Sequence, residues 1–78
     1  ERKKEREKQE LYRKKKKQIE NLENLIEKNE IELENLDNLL CDPKIYEEPE
    51  KALELSQERE ELQLKLDKLY DEWIILTE

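Results

Sequence analysis

The chain has 78 residues, half of them charged, with a net charge of −7 and 33% hydrophobic residues, and it contains no Gly, His, Met or Phe. So polar a chain cannot bury enough apolar surface to hold a compact globule against chain entropy, which leaves a disordered segment or an elongated helical one. The missing residue types remove the imidazole base and metal ligand and the glycine-rich phosphate loop, and no apolar run approaches the ~20 residues of a membrane span.

The first 17 residues are basic. Arg2, Lys3, Lys4, Arg6, Lys8, Arg13, Lys14, Lys15, Lys16 and Lys17 stand against Glu1, Glu5, Glu7 and Glu10, a net of +6, so residues 18–78 carry −13. A basic helix can neutralise several phosphates and release their counterions. Arg2, Lys3, Lys4, Arg6, Lys8, Arg13, Lys14, Lys16 and Lys17 are therefore the candidate nucleic-acid-binding residues; the alternative is a solvated helix face. On a helix they spread around the whole circumference, which favours loose backbone contact over base readout. No signal peptide is visible in so charged an opening. The chain starts on Glu1 rather than Met, and we expect it to be a piece of a longer protein.

Periodicity decides against disorder. Ile19, Leu22, Ile26, Asn29, Leu33, Leu36 and Leu40 are spaced alternately by three and four, an a/d heptad stripe with one polar member, Asn29. Tyr12 and Lys15 continue the phase toward the N-terminus. Leu, Glu, Lys and Gln are abundant and all favour helix, so propensity agrees with pattern. The first helix is predicted at about residues 2–41.

The turn is predicted at 42–48. Pro43 disfavours a helical Asp42 and should stop the first helix there. Pro49 suits the first turn of a new helix, where its missing N–H is no loss. A connection this short fits antiparallel neighbours. Ile45 and Tyr46 are expected to fold back over the open end of the seam, with Cys41 beside them as a small buried hydrophobe. A single cysteine cannot form an internal disulfide and suits a reducing compartment.

The second helix is predicted at about 49–77. Its stripe runs Ala52, Leu55, Arg59, Leu62, Leu66, Leu69, Trp73 and Leu76, with Arg59 as the polar member. The fold class is all-α: one antiparallel two-helix coiled-coil hairpin covering residues 1–78. Two registers are open. One faces Asn29 with Arg59, Leu33 with Leu55, Ile26 with Leu62 and Leu22 with Leu66, gathering both polar seam residues into one layer. The other slides the helices by one heptad and leaves each polar residue facing a leucine, Arg59 against Leu36 and Asn29 against Leu66. Burying an unpartnered polar group costs more than pairing two, which favours the first. That register sets Lys15 near Trp73, with a cation–π contact, and Tyr12 near Leu76. The first ten or so residues, part of the basic run, then project beyond the second helix.

Tyr12, Tyr46, Tyr70 and Trp73 could stack on bases. Seam packing is the expectation for Tyr12 and Trp73, a tip plug for Tyr46, and exposure for Tyr70. Ile74 and Ile75 lie off the seam and are expected to be exposed, so the chain is expected to be a monomer or a weak dimer joined at that end. The scattered carboxylates, without a turn-forming glycine, make no calcium site.

Three pieces resemble the C-terminal coiled-coil domain of ABC-F ATPases, the Uup-type extension. They are Leu40-Cys41-Asp42-Pro43-Lys44-Ile45-Tyr46, then Glu50-Lys51-Ala52-Leu53-Glu54-Leu55, then Leu69-Tyr70-Asp71-Glu72-Trp73. That family pairs two helices around a D-P-x-aromatic turn and closes on L-Y-x-x-W; the likeness runs from about Gln18 to Leu76. The family's Leu-Ser-Tyr-type opening is replaced here by the basic run, and Ile74-Ile75 stand where acidic residues often follow the Trp. The resemblance implies a cytoplasmic, soluble parent with two ATP-binding cassettes, using ATP and magnesium and acting in translation on the ribosome. It also implies that this C-terminal domain is an accessory arm contacting DNA or ribosomal RNA, with no membrane partner. The competing reading is a structural spacer or protein-interaction coiled coil. Ten cations in 17 residues favour the arm. The chain itself offers no pocket, base–nucleophile set or metal cluster, so no enzymatic activity is expected of it.

Overall fold

A computed structural model describes residues 2–78 as three helices, α1 at Arg2–Leu40, α2 at Pro43–Tyr46 and α3 at Pro49–Thr77. α1 and α3 lie side by side in a rod of 68 × 15 × 14 Å. The two long helices match the expected spans to within a residue. A short helix inside the turn was not expected.

That short helix follows from two adjacent residues. Asp42 is extended, with φ −75° and ψ 124°, and its carboxylate accepts a hydrogen bond of 3.1 Å from the Lys44 backbone N–H. Pro43 occupies the first helical position, where it has no donor to lose. Asp-Pro thus ends α1 and also starts α2. One turn later the Glu47 N–H donates to the Pro43 carbonyl at 3.1 Å, and the chain reverses at Glu47–Glu48. Pro49 opens α3, and Lys51 pairs with Glu48 across 3.2 Å. At the far end Thr77 Oγ1 donates to the Trp73 carbonyl at 2.8 Å and the Glu78 N–H to Ile74.

From Ile19 on, the seam is the one the heptads mark. Every stripe residue from Ile19 to Leu40 and from Ala52 to Leu76 is buried or half-buried. Leu22, Ile26 and Leu66 form the core, with Leu66 only 2% exposed.

The pairing follows the second register. Arg59 Nε donates to the Asp37 carboxylate, next to Leu36. The Trp73 indole N–H donates to Glu23, next to Leu22, at 3.3 Å. Leu36 and Leu62, Ile26 and Trp73, and Leu22 and Leu76 share grooves along the hairpin, each pair displaced in the same direction from the preferred pairing. The preferred register, with Asn29 opposite Arg59 and Leu33 opposite Leu55, is therefore corrected by one heptad. The physical reason lies at the tip. α2 carries the chain one further turn before it reverses, and moving the reversal by half a heptad slides the two helices by a whole one.

The expected cost of separating the two polar residues is avoided in two ways. Arg59 lays its stem along the seam and takes its guanidinium to Asp37 at a half-exposed edge. The hydrogen bond that Arg59 donates to Asp37, and then the charge of that carboxylate, hold the Arg59 pKa above its usual value. Asn29 is 4% exposed. Among the described residues no fully buried side-chain nitrogen or oxygen lacks a hydrogen-bond partner.

Candidate nucleic-acid interface

α3 ends at Thr77, close to Ile19 on α1. The segment 2–17 therefore continues alone as a single helix, an overhang of about 24 Å. It is longer than expected because the heptad slide draws α3 back along α1.

All ten basic residues of this overhang are exposed. None forms an ion pair with a described carboxylate; the ion pairs among the described residues are Lys51–Glu48 and Arg59–Asp37. The nine candidates Arg2, Lys3, Lys4, Arg6, Lys8, Arg13, Lys14, Lys16 and Lys17 are gathered on one short helical segment but on no single face of it. Their charge is separated along the rod from the acidic body.

Several side chains depart from expectation. Tyr12, expected in the seam near Leu76, is 69% exposed, because α3 stops before it can cover the ring. Lys15 lines an open cleft with Tyr12, Lys16, Ile19 and Leu76, while the Trp73 indole N–H donates to Glu23. Tyr46 does not plug the tip. It is exposed, and Ile45 alone turns inward. Cys41 is exposed and free rather than buried. It follows seam residue Leu40 by one position, about 100° round the helix. Tyr70 is partly exposed, as expected, and its hydroxyl donates to Glu30 across the hairpin. Ile74 and Ile75 are exposed at the end of α3.

The cleft at the base was not anticipated. Its signal was present: seam-phase residues lying beyond the partner helix keep their side chains but lose their cover. Among the described residues no cluster of three or more His, Cys, Asp or Glu could hold a metal ion. Among the described residues no helix is long and apolar enough to cross a membrane.

No curated protein matches the chain, and no solved structure does. The family model of the ABC transporter C-terminal domain matches residues 10–78. That match takes in the lower overhang, the seam, the Asp-Pro turn and the Trp motif, and the chain belongs to the ABC transporter C-terminal domain family.

Proposed function

We propose that this domain is the nucleic-acid-contacting C-terminal arm of an ABC-F-type ATPase that works on the ribosome in translation. The observation that carries the reading is the overhang: ten exposed cations on a helix that leaves its partner behind, beside a body of opposite sign. Membership of the ABC transporter C-terminal domain family supports the ATPase parent, and with it the ATP and magnesium that its cassettes would use. The Asp-Pro turn and the Leu69-Tyr70-Asp71-Glu72-Trp73 motif support the narrower ABC-F assignment.

The mechanism is electrostatic. Exposed Lys and Arg side chains replace condensed counterions on a phosphate backbone, and their release to bulk solvent drives binding. The acidic body repels phosphate, which confines contact to the overhang. A single helix makes few contacts, so isolated affinity is weak, at about micromolar or above in physiological salt; tethering within the parent raises the effective concentration.

The test is a salt titration of labelled DNA and structured RNA against the chain. With about four phosphates engaged, log affinity falls against log salt with a slope of about −3 to −4. Replacing Lys14, Lys15, Lys16 and Lys17 by Glu abolishes binding while the helical circular dichroism persists. A variant that binds as well as the wild type replaces the arm with a spacer.

A further inference from the structure

We infer that the base of the hairpin takes unpaired nucleic acid, with a nucleobase stacked on Tyr12 and the adjoining phosphates held by the cations of the overhang. This rests on the nucleic-acid reading above and names the form of the ligand.

The argument starts from a ring without a cover. Tyr12 has the phase of a seam residue, yet it is 69% exposed because the partner helix ends short of it. It lines an open cleft of about 490 Å³ at the junction of overhang and body. Lys15 and Lys16 border that cleft, and Ile19 and Leu76 supply an apolar floor. An aromatic face, an apolar floor and ammonium groups within one helical turn make the combination that holds single strands, with stacking for the base and charge for the backbone.

The cleft also has a polarity. Glu20 and Glu23 form its wall on the body side, and Glu23 is engaged by the Trp73 indole N–H. These carboxylates repel phosphate, so a strand with one base on Tyr12 and a phosphate on Lys15 or Lys16 must lead the rest of its backbone outward, past Lys8, Arg6 and Lys4. A second copy of the chain is a poorer occupant. Entering base to base, it would lay one cation-rich overhang along another.

Duplex is a poorer ligand for the same reason that a single strand is a good one. Both faces of a paired base are covered by its neighbours, and Tyr12 could reach one only by unstacking a step, whereas a single strand presents its faces at no such cost.

The experiment measures binding of the 78-residue chain at low salt to three labelled probes of equal length: single-stranded DNA, its duplex, and an abasic single strand of the same phosphate count. It compares the wild type with Tyr12→Ala, Tyr12→Leu and Tyr12→Phe, and with the four-fold Lys14–Lys17 to Glu variant. The wild type is expected to prefer the base-bearing strand over the abasic one. Tyr12→Ala and Tyr12→Leu should each weaken that strand by about 5- to 10-fold, the lower part of the range for one stacked base. Tyr12→Phe should bind like the wild type. Binding of abasic strand and of duplex should change by less than about two-fold, because only a free base face can exploit the ring.

Equal loss on base-bearing and abasic strands, or no loss in Tyr12→Ala, overturns the stacking site and leaves the electrostatic arm standing, provided that the four-fold variant still loses binding. Retention of binding by the four-fold variant, or no binding by the wild type to any probe, overturns both. Tyr12 is exposed on a lone helix, so its removal should leave the thermal melt unchanged and the comparison interpretable.

Discussion

Residues 2–17 and 18–40 belong to one continuous helix with one heptad phase, yet they differ in almost every physical respect. Along 18–40 the seam positions are buried or half-buried against α3, with Leu22 and Ile26 in the core. Along 2–17 the same phase carries Tyr12 and Lys15, and both are exposed. The helical backbone runs unbroken between them; the partner ends. A heptad stripe states which face is available for burial, and the reach of the opposing helix decides how much of that face is used. The switch in charge falls at the same place, so the paired part of α1 lies in an acidic rod and the unpaired part stands as a cation-rich probe.

The largest effect that would sharpen this contrast is on stability. Leu66→Ala empties the most buried position of the hairpin and should cost about 3–5 kcal/mol, most of the stability of so slender a fold. Leu11→Ala, on the overhang, should stay within about 0.5 kcal/mol. Urea melts followed by circular dichroism at 222 nm measure both. Comparable losses at the two sites would mean that the overhang is packed against something after all.

The next effect concerns register. In a Cys41→Ser background, cysteines at Leu36 and Arg59 should oxidise readily to an intramolecular disulfide. Cysteines at Leu33 and Leu55, the pair of the rejected register, should not, because a bridge needs Cα atoms within about 7 Å. Gel mobility with and without reductant reads the result; fast closure of the Leu33–Leu55 pair would restore the first register.

The smallest effect is at the Arg59–Asp37 pair, where both side chains are close to half exposed. Asp37→Ala should cost no more than about 1 kcal/mol, and added salt should shrink the difference. A loss as large as that of Leu66→Ala would show that Arg59 behaves as a buried charge rather than one that reaches solvent along the seam edge.

The ends of both long helices and the inward faces between Ile19 and Leu76 were legible in the sequence, because helix propensity, apolar spacing and proline placement all pointed the same way. The register was not legible, because it depends on where the chain reverses. Asp42-Pro43 forbids continuation of α1, and it also starts α2. An aspartate N-cap followed by proline at the first helical position is as much an opening signal as a stop. Cys41 and Tyr46 were misplaced for the same reason, since a tip built as a helical turn sends only Ile45 inward. The exposure of Tyr12 follows from the register as well. With the helices slid by one heptad, the ring that should have met Leu76 meets water. The candidate cations needed no register to be found, as charge runs are visible without a fold, but the cleft beside them did.

The four-residue helix at the tip also governs how the hairpin can form. Contacts next to a reversal link residues near in sequence, so they can close early at little entropic cost, and pairing then spreads from the tip toward the base. Two repeating apolar stripes offer a growing zipper several alignments one heptad apart, each satisfying most of its leucines. α2 breaks that degeneracy at the first step, because a chain that has wound the Asp42-capped turn can begin pairing only from Glu47–Glu48. A chain unable to wind it would be free to start in either alignment. Escape from the wrong one would require undoing every pair already made, so the hairpin would mature in two kinetic phases, with the slower set by unzipping.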